Sequence, residues 1–303
     1  MRERVQLLFG GDIIFGKGVS QIAQARGIGY LFEPAAHLLR GADWTVLNME
    51  GCISVRGAPM DKEYTFRAPL ELAHHLRLAG VSMVSLGNNH SVDYGRTALM
   101  DTVEHLWRAG VWWAGAGANR QAAASPVDVD FGGVRVAIVC FTAVVPHGFP
   151  AGARTPGVAT LSDVLPRLPE ARKNADVIIA IPHWGDEGRT EPNAKQRRIA
   201  RALADAGVQL IVGHHPHVVQ PYERVGRAHV FYSVGNFIHT PRSALSRQGA
   251  LLRVEIDAQG VQKLELIPLW LENGRPLPQS PARALEHAQR FPEIQSAPAS
   301  PTM

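Results

Sequence analysis

The sequence predicts an α/β fold, a four-layer α-β-β-α sandwich of two mixed sheets. Three observations carry that expectation. Through the first two thirds of the chain, short apolar runs alternate with amphipathic helical stretches, the rhythm of βα units and a mainly parallel sheet. The last third instead strings strand-like runs together without long helices between them, which suggests a second, more antiparallel sheet. With 303 residues, 46% of them apolar and 19% charged, the chain is long and apolar enough to bury a sizeable core.

Residues 5–9, Val-Gln-Leu-Leu-Phe, read as the first strand. Residues 30–40 read as a helix and 44–49 as a strand. Residues 70–79 form the next helix, stopped by Gly80, and 81–86 the next strand. Residues 97–109 are helical, again closed by a glycine, and 111–113 are a short strand. A strand at 134–141 precedes a helix at 161–174 and a strand at 176–181. A helix at 194–206 leads to a strand at 208–212. In the last third, 218–224, 228–233, 249–256 and 261–269 read as strands. Two such sheets, face to face with helices outside, give the four layers. One domain is expected over 1–271. Residues 272–303 read as a Pro-rich, partly disordered extension, with a short helix at 282–290 and a disordered end from Pro292.

Composition excludes several classes. No apolar run approaches the roughly 20 residues of a membrane-spanning helix. The first run passes directly into Gly10-Gly11-Asp12 with no cleavage site, so a strand is expected there rather than a signal peptide, and the cytoplasm as the location. Cys52 and Cys140 stand far apart and outside any CxxC pair, which argues against a disulfide framework or a thiolate zinc site. Trp112 and Trp113 are expected in the core. The net charge of +4 comes from scattered arginines such as Arg197, Arg198 and Arg201. That pattern fits a solvated helix face and a surface that attracts an anionic substrate, small or polymeric. It carries no nucleic-acid motif, and it leaves a homo-oligomer open. Arg67, Arg154 and Arg242 are loop arginines able to grip an anion, although a surface role suits each.

The informative feature is where the polar residues fall. Successive strands end in Gly11-Asp12, in Asn48-Met49-Glu50, in Gly87-Asn88-Asn89-His90-Ser91-Val92-Asp93, in Pro182-His183-Trp184-Gly185, and in Gly213-His214-His215-Pro216-His217. In a parallel sheet these carboxyl-terminal ends share one edge, where ligands bind. Taken singly, each residue has a bland role: Asp12 a helix cap, Glu50 and Asn89 turn residues, His183 a hydrogen-bonded core histidine. Taken together they supply carboxylates, amide oxygens and imidazoles but no thiols, which suits manganese, iron or zinc. The supply is about twice what one ion needs, and this favours two divalent ions sharing a carboxylate and holding a bridging hydroxide. If the 214–217 run is extended, His215 and His217 point one way and His214 faces away as a structural residue.

These motifs, with Ser233-Val234-Gly235-Asn236-Phe237, resemble the CapA/PgsA family of poly-γ-glutamate capsule biosynthesis proteins, within the calcineurin-like metallophosphoesterase superfamily. The resemblance runs from about residue 5 to about residue 270. It implies a dinuclear site in which Asp12 binds one ion and Glu50 bridges. Asn89, His183 and His215 then serve the second ion, and His217 the first. It makes His90 the general acid and Asp93 its orienting partner, a helix cap being the alternative for Asp93. Asn48 and Asn236 are the expected substrate-binding amides. The implied function is a metal-dependent hydrolase acting on a phosphoester or an amide related to poly-γ-glutamate. The alternative is a non-catalytic binding or assembly component of capsule synthesis. Two departures from the wider superfamily stand out: Ile14 replaces the histidine of its D-x-H motif, and Asn48-Met49-Glu50 replaces its G-D-x-x-D motif.

Overall fold

Burial on both faces makes the first strand, β1 (Val5–Ile13), the centre of the molecule. The computed structural model describes residues 4–279 together with Gln295 and Ser296. Next to β1 on one side run β2 (Trp44–Met49), β3 (Met83–Ser85) and β4 (Trp112–Ala114), all parallel. The second sheet begins with β5 (Val127–Asp130) at its edge, antiparallel to β6 (Arg135–Thr142). It continues with β7 (Val177–His183) and β8 (Leu210–Val212), both parallel to β6, and closes with β9 (Val219–Val225) and β10 (Ala228–Val234). The chain then returns to the first sheet. There β11 (Asn236–Ile238) lies parallel to β1, while β12 (Gln248–Asp257), β13 (Gly260–Glu272) and β14 (Arg275–Pro278) extend that sheet on the other side of β1.

The expected partition between sheets is therefore corrected. The strands of the last third do not form a sheet of their own: β9 and β10 complete the second sheet, and β11 to β14 join the first. Their hydrophobic pattern explains why. Leu252, Val254 and Ile256 of β12 face the same inner layer as Val5, Leu7 and Phe9 of β1 and as Val136, Ile138 and Cys140 of β6. The opposite faces of the same strands, such as Leu8 and Ala137, pack on helices. This alternation produces helix, sheet, sheet and helix layers.

Prolines correct two helix expectations. The expected 30–40 helix is two short ones, Gly29–Phe32 and Ala36–Gly41, divided at Pro34. The expected 161–174 helix is Leu161–Val164, a 3₁₀ turn at Leu165–Arg167 and Leu168–Asn174, with Pro166 and Pro169 at the breaks. A helix at Lys17–Arg26 was not expected. Gly80 and Gly110 end their helices in the left-handed conformation, as the glycine pattern implied. Trp112 is half exposed at 53%, packing beside Trp44, because β4 is an edge strand; Trp113 packs against the outer core. Both cysteines are free and buried. Strand β14 carries sheet structure past residue 271. The helix expected at 282–290 and most of the end expected to be disordered lie outside the described residues. Among the described residues, no helix is long and apolar enough to cross a membrane.

Candidate metal centre

The carboxyl ends of β1, β2 and β7, with the turns after β3 and β8, meet at one place between the two sheets. Backbone proximity there depends on glycine. A Cβ on Gly11 would lie 2.1 Å from the Gly235 carbonyl oxygen, so only glycine lets β1 reach β11. Asp12 follows directly, with no exposed surface. Asp12 Oδ1 accepts from Asn48 Nδ2 at 2.8 Å and meets His214 Nδ1 at 2.9 Å. Asp12 Oδ2 lies 3.1 Å from His217 Nδ1, outside hydrogen-bond geometry.

Glu50 forms the middle of the cluster and is wholly buried. Its Oε1 lies 3.4 Å from His183 Nε2, 3.7 Å from His217 Nε2 and 3.9 Å from His90 Nε2. No hydrogen bond reaches that oxygen. Donors about 2.0–2.2 Å from a shared ion stand roughly 3–3.6 Å apart, so the nearer two spacings match or closely approach a coordination shell. Asp12, Glu50 and His183 have donor atoms within 4.8 Å of one another, and so do Glu50, His215 and His217. Glu50 is common to both groups, as a bridging carboxylate would be. The grouping crosses the expected one: His183 falls with Asp12, and His217 with His215. His183 Nε2 and His215 Nδ1 are 3.1 Å apart, as are Asp12 Oδ2 and His217 Nδ1, so the expected pairs are also close.

The fit to cations is tested by orphaned atoms. Asp12 Oδ2, Glu50 Oε1 and Asn89 Oδ1 are buried and have no hydrogen-bond partner. Buried polar atoms are nearly always satisfied. These three oxygens belong to three of the residues whose chemistry suits a hard or borderline divalent ion, and the imidazoles complete the set. The residues fit the group.

Charge follows the same pattern. Burial alone would raise Asp12, but His214 and His217 hold it well below the usual carboxylate range. Glu50 is raised to about 7 by burial, with His217 pulling it back and Asp12 pushing it further. Burial drives His183 well below its usual value and His215 down to about 2, leaving both imidazoles neutral and free to ligate. His217 is raised to about 10, because Glu50 and Asp12 outweigh its burial.

Beside this cluster stands a second, ordered group. His90 Nδ1 lies 2.6 Å from Asp93 Oδ2, and its Nε2 faces Glu50. Asp93 does not cap the following helix, whose N-cap Tyr94 has no side-chain cap bond. Its other oxygen accepts from Lys62 Nζ at 2.6 Å, and Oδ2 also accepts from the Phe66 amide. Lys62 donates as well to the Asn89 carbonyl and sits over the Phe149 ring. Sequence reading missed Lys62, which lies in a polar loop with no motif around it. Asn88 was quoted only as part of a motif; its amide donates to Asn48 and to the Met49 carbonyl, and its oxygen accepts from the His90 amide.

Three expectations change. His214 does not face away: it is buried and bonded to Asp12. The reason is the backbone. His215 and His217 adopt φ of +96° and +55°, so the 214–217 run is a left-handed turn and alternation does not apply. Asn236 is not free for substrate, since its amide donates to the His217 and Ser246 carbonyls and its oxygen meets His217 Nδ1 at 3.1 Å. Asn48 is likewise engaged with Asp12 and Asn88. Both amides brace side chains of the candidate cluster. Arg67 lies over the Tyr94 ring and donates to the Arg56 and Gly57 carbonyls, a loop-holding role.

Comparison with known proteins identifies the family. The family model described as bacterial capsule synthesis protein PGA_cap matches residues 6–241. The PGA biosynthesis protein CapA of Bacillus subtilis is 32% identical over 275 residues, covering 89% of this chain and 72% of that protein. The capsule biosynthesis protein CapA of Bacillus anthracis is 30% identical over 286 residues, covering 91% and 70%. Among solved structures, a novel phosphatase of Mycoplasma pneumoniae superposes with a TM-score of 0.60 at 16% identity, over 89% of this chain and 95% of that one. That likeness bears on the fold alone, a calcineurin-like α/β sandwich. From its sequence match and its fold, the chain belongs to the CapA family of bacterial capsule synthesis proteins.

Proposed function

We propose that this chain is a metal-dependent hydrolase that cleaves a phosphoester or a γ-glutamyl amide in an anionic substrate. Asp12, Glu50, Asn89, His183, His215 and His217 would hold two divalent ions, manganese, iron or zinc. The observation that carries the reading is the pair of orphaned buried carboxylate oxygens on Asp12 and Glu50, clustered with the imidazoles of His183, His215 and His217; the orphaned Asn89 oxygen adds a further candidate ligand. When bound, the ions supply an activated water and offset negative charge at the attacked centre.

The protein's own part is positional. Asn48 and His214 fix one oxygen of Asp12, which turns the other inward. Asn236 fixes His217 in the same way. Asp93 orients His90 through Nδ1 and leaves Nε2 facing the cluster, where it can pass a proton to the departing group. Lys62 holds the far oxygen of Asp93, so the His90 ring is braced from two elements. The relatives' names, PGA and capsule biosynthesis, support a polymeric anion as substrate.

A second reading, an assembly role in capsule synthesis without catalysis, draws on the buried Ile14 where the superfamily has a histidine. Metal analysis of the purified protein, with turnover of an aryl phosphate and a γ-glutamyl anilide in added manganese, separates the two. The hydrolase reading expects close to two ions per chain and measurable turnover. It expects His90→Ala to lower turnover about 10²–10⁴-fold with the ions retained. His183→Ala should lose both. No bound ion and no turnover with any divalent metal would overturn the hydrolase and leave the assembly role.

A further inference from the structure

A cavity opens near the candidate metal centre, linked to it through the contact of His239 with His217. It measures about 670 Å³ and is lined by His239, Thr240, Arg242, Arg247 and the strand end at Trp270–Gly274. His239 joins them: its ring centroid is 6.1 Å from that of His217, and its Nδ1 is buried without a partner. Two guanidiniums and one carboxylate, Glu272, make up the charged lining. Among the described residues, neither Arg242 nor Arg247 forms an ion pair, whereas Arg197, Arg253 and Arg275 all do. Arg242 also lies close enough to Tyr64 to act on its charge. The Tyr64 phenol, raised by its hydrogen bond to Glu63, is pulled back by the Arg242 charge. Tyr64 belongs to the same loop as Lys62, which contacts Asp93 and the Asn89 carbonyl beside the cluster.

We infer that this cavity is the subsite for the flanking part of a polycarboxylate chain, with Arg242 and Arg247 gripping successive carboxylates while one scissile bond lies at the metal cluster. The inference rests on the hydrolase reading and deepens it. Unpaired guanidiniums beside a buried, unsatisfied imidazole form a wall made for anionic groups. A small phosphate ester would fill the metal centre alone. A chain carrying a carboxylate on every unit would occupy both spaces.

The test uses the metal-loaded full chain and a fluorescently labelled poly-γ-glutamate of about 20 units. Arg242→Ala/Arg247→Ala should weaken binding at least about tenfold, two modest charge contacts combined. Its binding should also depend less on salt. Arg77→Ala/Arg108→Ala removes the same charge from exposed helix positions elsewhere and should bind within about twofold of the wild type. Metal content, measured on both variants, reports separately on the hydrolase reading. Equal binding by the cavity variant and the wild type, or equal losses in both double variants, would overturn the subsite even if the ions and turnover remain.

Discussion

At the scale of single residues, the centre works by separating the protonation states of its members. His183 and His215 are kept neutral by burial, whereas Glu50 sits at about 7 and His217 at about 10. A cation can use only the deprotonated forms, so it competes with protons at Glu50 and His217 and not at the other two. The sign follows. Below pH 7 Glu50 holds a proton that an ion must displace, so affinity for manganese should rise with pH. Between pH 6 and 8 the expected gain is about tenfold or more, with net proton release seen by calorimetry in buffers of different ionisation enthalpy. Affinity that stays flat over that range would mean Glu50 is not a ligand. Most of these residues were legible in the sequence, because Asp, Glu, Asn and His at strand ends are chemically distinctive. Lys62 was not, since an isolated lysine in a loop looks like any solvated lysine until its three partners are seen. His214 was misread, because its orientation depends on a backbone turn that no side-chain alternation reveals.

At the scale of elements, the site depends on how closely strands approach. Gly213 follows β8 immediately before the histidine turn. A Cβ there would lie 2.2 Å from the Tyr232 carbonyl oxygen and 2.4 Å from Trp184 Nε1, and those two atoms are themselves hydrogen-bonded at 2.8 Å. Neither neighbour can yield, since Trp184 and Tyr232 are among the largest fully buried side chains. Gly213→Ala should therefore lower stability by about 1–3 kcal/mol or more by overpacking, and weaken metal binding through the displaced turn. Gly41→Ala, with open space around it and an ordinary φ, should be neutral or slightly stabilising. Thermal melts of the pair check both, and equal Tm values would remove the packing argument. Strand positions were readable from apolar runs, and helix ends from Gly80 and Gly110. The two broken helices are not, because amphipathic spacing runs on across Pro34, Pro166 and Pro169 while their rings interrupt the helical backbone.

At the scale of the whole molecule, the candidate metal centre lies between the two sheets. Asp12 and Glu50 stand at the ends of β1 and β2 of the first, and His183, His215 and His217 at or beyond the ends of β7 and β8 of the second. Any ion held by both sets stabilises the folded state by mass action and ties the layers together. At a free concentration of 100 times Kd, one ion adds about 2.7 kcal/mol. A rise of several degrees in Tm over the chelated protein is expected, growing with metal concentration and absent in Glu50→Gln. An unchanged Tm would show that the two sheets do not share an ion.

The sequence by itself determined most strands, the four-layer class and the candidate site residues, because hydrophobic period and residue type are local properties. Only the tertiary structure decided which strands share a sheet, since β12 reaches β1 across more than 200 intervening residues. It placed the polar strand ends of two different sheets at one point, where a single parallel edge was expected. It also turned His214 inward and left Arg242 and Arg247 without partners. Those outcomes depend on long-range packing and on left-handed backbone at His215 and His217, and neither is written in local composition.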